Sequence, residues 1–564
     1  MTASAAEISI SLRDPAEVMR LDCMGSAFPH RLSNLRVLLR RMKDEAWRFT
    51  RPVWRLNDEG YGVAVYTAAG PQRSYSLVAF SHHLDPGLRT DRVIATQWDA
   101  TFALFDGVPG ESDIERLSHN VPKQEAGRVS GKELCVARAN RSVRIFDHVV
   151  ASLAAGRQPD AALVGEVGYL MRTTAVYGSG KLGAADFEKI CSRPELAAPY
   201  QAEMLAVYLI REFTADLVEH IAAARAPATA VKLDAKLRRS FGVGNATGLG
   251  MAPYLVNHPV VLNQWVYVRE AALARVRAIA MASPDDRHRF ELLVDRAKLD
   301  AQAWHTGDSI QTQRIAGLCA DLDRLARHVA GGALGVRQPW NAVYLWAAAN
   351  LGLEARERLV SLLIEEGSAD VDDIARGYHA DEAAAFAMDG ALTVEETLLA
   401  LRVDYAWAFA YDFTDRSATA RFWYASEEKL EPRLGERWEE PGAEREQPLA
   451  VARDVQALAG DLETFRRAAR LAEFLLAHPE HRHTARRAQI GRSRPYSEIR
   501  DNVIAAAMRP IDLLRFKLAC FGASRFDPKS DRWTRITLYQ HAPFARELAH
   551  EDAGDWVLPP LTAG

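Results

Sequence analysis

The chain has 564 residues, of which 48% are hydrophobic and 26% are charged. This composition excludes disordered, collagen-like and membrane-spanning classes, and it predicts a soluble globular protein with enough apolar material for several domains. The 70 basic and 74 acidic residues give a net charge of -4, which provides no overall attraction for nucleic acid or for an anionic membrane.

The cysteines and the N-terminal segment indicate where the protein is found. The five cysteines are widely separated and include no C-x-x-C pair, which favours reduced thiols over disulfides or a structural zinc site. Residues 1–12 contain Glu7 and lack the basic and apolar regions of a secretion signal. No uncharged run approaches the ~20 residues that a membrane-spanning helix needs. We therefore expect a cytoplasmic protein.

Residues 1–125 predict a small α+β domain. Residues 31–47 have the apolar spacing of an amphipathic helix. Runs rich in Val, Tyr, Trp and Phe follow, separated by residues such as Asn, Asp, Gly and Pro that favour turns. These runs predict an antiparallel meander of four strands, at residues 51–56, 62–67, 74–80 and 100–105.

Residues 126–402 predict a helical core domain, and residues 403–564 a mixed, mainly helical domain. Alanine, which favours helix intrinsically, is abundant in the core domain. The helices predicted there are 133–155, 161–176, 200–225, 259–282, 310–329, 338–350 and 354–366. The C-terminal domain predicts helices at 448–458, 461–476 and 498–519 and a strand near 533–539. Because no βαβ alternation occurs, the predicted fold class is α+β and predominantly α-helical, with an N-terminal antiparallel β-meander on a large multi-helix body.

The C-terminal domain also mixes arginines and aromatic residues, a combination that can bind single-stranded nucleic acid. Aspartates and glutamates stand among them, however, so the better interpretation is charge-paired packing. We therefore predict no nucleic-acid partner.

The segment 241–251 is the most unusual in the chain, because it has four glycines within nine residues. Backbone N–H groups in such a loop can hold an anion. The spacing G-x-G-x-x-x-G-x-G differs from the dinucleotide pattern, and residues 231–240 predict a helix where that pattern needs a strand. One interpretation is a loop that faces a ligand, and the other is a tight crossing of two helices that requires small residues. The candidate anion-binding residues of this segment are Gly244, Asn245, Thr247 and Gly248.

A second glycine-rich segment covers residues 172–183. It is not a phosphate-binding P-loop, because Ala175 and Leu182 replace the glycine and the hydroxyl residue of that motif. Its Lys181 is one of only 11 lysines, and its ammonium can bind a substrate carboxylate or, when desolvated, act as a base. The alternative is a glycine C-cap followed by a solvated lysine. The candidate residues are Lys181 and Tyr177 for proton transfer, and Arg172, Gly178 and Gly180 for anion binding.

The helix predicted before this segment would carry a polar stripe. Glu166, Tyr169, Thr173 and Tyr177 recur at intervals of three and four, which places them on one helical face leading to the loop.

The histidines suggest acid–base chemistry more than metal binding. His305 lies between two predicted helices and is a third candidate catalytic residue, although helix capping by its neighbours explains most of that segment. His82 and His83 end a predicted strand and would point to opposite faces. The stretch that contains His478 and His481 is rich in arginine and is interpreted as solvated. No metal-binding motif is present, so we predict no metal.

Three functional hypotheses remain. The first is an enzyme that acts on a small anionic metabolite, a carboxylate or an acyl thioester, by acid–base chemistry as a lyase or isomerase, without a cofactor. The second is a non-catalytic helical scaffold or regulatory binding protein, with a homo-oligomer as a possible state in either case. The third is a nucleotide- or flavin-dependent oxidoreductase.

Overall fold

The computed structural model divides the chain into two compact units, each made of three segments. The sheet unit contains residues 27–248, 290–327 and 517–564, and the helical unit contains residues 1–26, 249–289 and 328–516. The domain boundaries expected after residues 125 and 402 stay a prediction. The structure describes residues 10–20, 23–26, 28, 30–88, 97–120, 130–178, 193–196, 200–245, 259–305, 307, 309–376, 386–412, 421–426, 432–434, 446–449, 451–499, 503–504, 515, 518–523, 525–528, 534–550 and 555–558.

The described strands are β1 (Arg48–Leu56), β2 (Gly62–Ala69), β3 (Ser74–Ser81), β4 (Ala100–Asp106), β5 (Glu133–Arg141), β6 (Tyr169–Gly178), β7 (Gly242–Asn245), β8 (Arg421–Ser426), β9 (Pro432–Leu434), β10 (Glu446–Leu449), β11 (Val503–Ile504), β12 (Arg525–Pro528) and β13 (Thr534–Leu538). The described α-helices are α1 (Pro15–Val18), α2 (Asn34–Asp44), α3 (Glu111–Asn120), α4 (Phe146–Ala154), α5 (Ala161–Val167), α6 (Gln201–Arg225), α7 (Ala235–Arg239), α8 (Pro259–Ala278), α9 (Pro284–Gln302), α10 (Ser309–Ala330), α11 (Pro339–Asn350), α12 (Leu353–Glu366), α13 (Ser368–Arg376), α14 (Val394–Asp404), α15 (Ala406–Phe409), α16 (Val451–Thr464), α17 (Leu471–Ala477) and α18 (Arg482–Ser493).

The sheet unit is built on one nine-stranded sheet. Its order is β1-β2-β3-β4-β5-β6-β7-β13-β12. Its neighbouring strands are antiparallel except for β6 and β7, which run parallel. The predicted four-strand meander is confirmed as β1 to β4, and the predicted α+β, mostly helical fold class is confirmed with it.

The turn between β1 and β2 shows why turn residues in the sequence predict the meander correctly. The Asn57 N–H donates to the Tyr61 carbonyl at 2.9 Å, and the Tyr61 N–H donates to the Asn57 side-chain oxygen at 2.8 Å. Gly60 has a φ of 80°, a conformation that glycine adopts without strain. Asn and Gly therefore fix the register of this hairpin.

Helices cover both faces of the sheet. On one face, Phe213 of α6 packs against Phe102 of β4, with ring centroids 5.7 Å apart. On the other face, Ile114 of α3 belongs to a buried cluster that includes Ala103 and Phe105 of the same strand. Successive side chains of a strand point to opposite faces, so β4 contributes to two apolar layers.

Two predictions in this unit are wrong. The helix predicted over 133–155 is strand β5 followed by helix α4, and the helix predicted over 161–176 ends at Val167 and continues as strand β6. Gly168, with a φ of 74°, ends α5 in the left-handed conformation, and the β-branched and aromatic residues after it favour a strand. The polar stripe expected on one helical face therefore does not form, because its members lie on two different elements.

A buried arginine attaches the chain after β13 to α6 and to the start of β7. The Arg211 guanidinium donates to the Phe241 carbonyl at 2.7 Å and to the Ala542 carbonyl at 2.8 Å. It also stacks on the Phe544 ring at 3.8 Å. These carbonyls come from segments far apart in the chain, so Arg211 holds them in one place.

The helical unit has its own small sheet, in which β8 pairs with β9, β10 and β11. The helix predicted over 498–519 is wrong at Val503–Ile504, which form β11. The predicted helices over 259–282, 338–350 and 354–366 are confirmed as α8, α11 and α12 with small shifts at their ends.

A buried cluster of four charged groups lies in the helical unit. Arg13 donates to both oxygens of Glu270, at 2.7 and 2.8 Å, and to Glu357 at 2.7 Å. Arg269 pairs with the same two glutamates, and the Tyr496 hydroxyl donates to the Arg13 carbonyl at 2.7 Å. Two positive and two negative charges thus balance within the interior.

Among the described residues, no helix has the length and apolar composition that crossing a membrane requires.

Candidate functional site

The two glycine-rich segments meet as the neighbouring strands β6 and β7. Arg172 is the register partner of Gly244, and Thr173 is the register partner of Asn245. The Thr173 hydroxyl donates to the Gly244 carbonyl at 3.1 Å. Because the two strands are parallel, the chain leaves both of them in the same direction, toward the carboxyl end of β6.

Two of the glycines are explained by close packing within the sheet. A Cβ at Gly244 would lie 2.8 Å from the Tyr169 ring, and one at Gly242 would lie 2.3 Å from the Leu538 carbonyl oxygen. Both glycines lie in strand β7 and neither lies at a crossing of helices, so the helix-crossing interpretation is wrong for these two residues. The requirement for small residues comes from strand neighbours.

The other candidate residues are distributed unevenly. Arg172 and Asn245 are buried, and Gly178 is the last residue of β6. His305 is exposed beyond the end of α9, and no hydrogen bond or ion pair joins it to the described residues of β6 or β7. Five candidates, or their side chains, lie outside the described residues: the Tyr177 side chain, Gly180, Lys181, Thr247 and Gly248.

Described residues fix both ends of the segment that carries Lys181. It leaves the sheet at Gly178, which is paired with Cys135 of β5. It returns at Arg193, whose guanidinium binds the carboxylate of Asp106, the last residue of β4, at 2.7 Å. Both attachment points therefore belong to the edge of the sheet at which β6 ends.

Glu195 continues this attachment. Its carboxylate accepts hydrogen bonds from the Gln72 and Arg73 N–H groups and from the Tyr75 hydroxyl, each at 3.0 Å. Glu195 is buried, so these three donors satisfy a carboxylate that water does not reach. The turn between β2 and β3 thereby holds the chain on the same edge.

A buried carboxyl that no sequence pattern predicted lies near this edge. Glu203 lies in the first turn of α6, and burial raises its pKa to about 7. Burial and then the Glu203 charge raise the pKa of the Cys135 thiol, so the two groups are within electrostatic reach. A carboxyl with a pKa near neutrality exchanges protons readily at physiological pH. In the sequence, Glu203 resembles an ordinary acidic residue at a helix N-terminus. The only sequence feature that indicates its burial is the set of apolar neighbours in the run 202–210.

The backbone just before this helix is strained. Tyr200 is the N-cap of α6 and has a φ of 60°, a conformation that is unusual for a tyrosine. Its ring packs edge-on against Phe521 with centroids 4.8 Å apart. Such strain persists only where the surroundings hold it, and it concentrates at functional sites.

An open groove lies near the opposite ends of the strands. Its volume is about 590 Å³, within the range of sites for small molecules, and Val63, Phe80 and Ile114 contribute apolar surface to it. Arg55 and Glu111 pair at 2.9 Å beside it and neutralise each other. Glu115 and His82 also line the groove, so its surface is partly apolar and partly polar.

The histidines at the end of β3 have separate partners. His82 is half-buried with its Nε2 3.0 Å from the Thr101 hydroxyl, and burial lowers the pKa of His82. His83 is exposed with its Nδ1 3.3 Å from the Tyr61 hydroxyl. The prediction for His481 is wrong, because that residue is buried.

No model of a protein family matches this chain, and no curated protein or solved structure matches it. Function is therefore inferred from the chemistry of this chain's own residues.

Proposed function

We propose that the protein is an enzyme that binds a small anionic metabolite at the edge where β6 ends and transforms it by acid–base chemistry. The observation that carries the proposal is the buried Glu203, with a pKa of about 7, within electrostatic reach of the strand that pairs with Gly178. A substrate with a carboxylate or an acyl thioester suits this chemistry, because the proton next to its carbonyl can be abstracted. The reaction class is a lyase or an isomerase.

In this proposal Glu203 takes or returns the proton, and its burial provides the raised pKa that this role needs. The glycine-rich segments provide backbone N–H donors for the anion, each worth roughly 3 to 4 kcal/mol at a developing oxyanion. Lys181 remains the proposed cationic group for the substrate, since both ends of its segment are attached to this edge.

The direct test is a thermal-shift screen against carboxylates and acyl thioesters. A ligand at 100 times its Kd stabilises the native state by about 2.7 kcal/mol, which raises the Tm. We expect at least one anionic compound to raise the Tm and its neutral amide analogue to fail. Equal shifts from the anion and the amide, or no shift from any compound, would contradict the proposal.

Lys181→Ala tests the site itself. It is expected to abolish the turnover of the compound identified in the screen and to leave the Tm of the free protein nearly unchanged. Lys236→Ala removes an exposed lysine of α7 and is the matched control, which should retain turnover. A large fall in Tm with turnover retained would show that Lys181 is structural.

A second candidate function is a non-catalytic scaffold, in which the glycines serve packing alone, as Gly244 does against Tyr169. Gly244→Ala is expected to lower the free energy of unfolding by about 1 to 3 kcal/mol, because the new Cβ meets the ring. Gly460→Ala is the control, since its Cβ would meet nothing within 4 Å. If the scaffold hypothesis is right, Gly244→Ala also dissociates an oligomer in light scattering and no metabolite raises the Tm. An assembly that survives the substitution speaks against it.

A further inference from the structure

Three side chains that commonly bind metals converge in the helical unit. Asp461 lies in the last turn of α16, and Glu480 and His481 lie on the short 3-10 helix Pro479–His481 between α17 and α18. One potential ligand atom from each of these residues lies within 4.8 Å of the other two. The spacing is close to that of ligands around one ion, so small side-chain rotations would bring all three atoms into contact with a single ion.

His481 is held in place for this role. Its side chain is only 10% exposed, and its Nε2 lies 2.7 Å from the Asp461 Oδ2. Its ring also packs nearly parallel to Phe474, with centroids 5.9 Å apart. A ligand whose orientation is fixed before binding loses little entropy when the ion arrives.

A second imidazole lies beside the three. The His478 Nδ1 is 3.3 Å from the Glu480 Oε1, and its ring stacks on Phe474 with centroids 4.7 Å apart. The centroids of the His478 and His481 rings are 6.2 Å apart. His478 therefore contacts one member of the cluster, Glu480, and the three potential ligands of the cluster come from α16 and from the 3-10 helix after α17.

We propose that Asp461, Glu480 and His481, with His478 beside them, bind a divalent transition-metal ion of which Zn²⁺ is representative. Imidazole together with carboxylate suits Zn²⁺ and its neighbours in the first transition row, whereas Mg²⁺ and Ca²⁺ prefer ligand sets made of oxygen alone. Asp461 and Glu480 are partly exposed, so water fills the remaining coordination positions. The alternative is that no metal binds and that Asp461 and His481 only share a hydrogen bond.

The experiment is isothermal titration of Zn²⁺ into the full chain without an affinity tag. We expect one saturable site, and we expect Asp461→Asn and His481→Ala to weaken the affinity at least tenfold. Glu480→Gln is a variant that should fold like the wild type, because the Glu480 side chain is 60% exposed and the substitution leaves no cavity. His288→Ala removes an exposed histidine of α9 and serves as the control that retains the wild-type affinity.

Three results would overturn the proposal. The first is the absence of a stoichiometric Zn²⁺ site in the wild type, which would leave the pair as a hydrogen bond only. The second is an unchanged affinity in both Glu480→Gln and Asp461→Asn. An excess of Mg²⁺ is expected not to displace Zn²⁺, and displacement at comparable concentrations would equally exclude a transition-metal site.

Discussion

Arg13→Ala is expected to lower the free energy of unfolding by about 3 to 5 kcal/mol, the loss that follows when one partner of a buried ion pair is removed. Arg13 contacts Glu270 and Glu357, whose side chains are at most 4% exposed. Without it, two carboxylates would share the single charge of Arg269 in an interior that water does not reach. Denaturant unfolding measured on wild type and variant gives the difference directly.

The charge balance of the cluster supplies the controls for this prediction. Arg13→Met with Glu270→Met removes one charge of each sign, and the double variant is expected to be more stable than Arg13→Ala. Arg466→Ala breaks an exposed pair with Glu473 and should change stability little. If Arg13→Ala is no more destabilising than Arg466→Ala, the ion pairs of Arg13 with Glu270 and Glu357 do not stabilise the fold as predicted.

Glu203→Gln is expected to change the pH dependence of stability by about 3 kcal/mol between pH 4 and pH 8. The native pKa of Glu203 is about 7, above its usual value of 4.5, so the native state binds more protons than the unfolded state within that window. Stability of the wild type therefore falls as the pH rises from 4.5 to 7. Glutamine does not ionise, so the variant gains stability relative to the wild type across the same window.

The measurement is the Tm of both proteins as a function of pH. Glu115→Gln removes an exposed carboxyl of α3 and should follow the wild-type profile throughout. Parallel profiles for wild type and Glu203→Gln would show that the pKa of Glu203 is not raised. If Glu203→Gln is more stable than the wild type at pH 8 and has lost turnover, the wild type keeps a destabilising glutamate because activity requires it.

How far the fold can be read from the sequence depends on where the decisive interactions lie. Strands β1 to β4 follow from turn residues such as Asn57 and Gly60 within the same hairpin. Strand β5 does not, because alanine and arginine favour a helix and only pairing with β4 and β6 overrides that preference. The pairing of β7 with β13 joins segments that no local pattern connects.

The candidate site shows the same limit. Composition and spacing predicted Arg172, Gly244 and Asn245 as candidate site residues, and these residues lie together on adjacent strands. The raised pKa of Glu203 comes from burial by distant elements, which a single sequence does not reveal. Likewise, no sequence pattern predicts that His481 lies beside Asp461, since the helices that bring them together pack through tertiary contacts.

The pairing of β7 with β13 also has a consequence for synthesis on the ribosome. Asn245 pairs with Ile536, so the whole of the helical unit is translated before the partner of β7 emerges. Until then the outer edge of β7 presents unpaired N–H and C=O groups, which are a template for strands of other chains. The Arg211 guanidinium lacks the Ala542 carbonyl during the same interval. The nascent chain must therefore protect an open sheet edge while residues 246–533 are translated, and the sheet unit is completed only after β13 has left the ribosome.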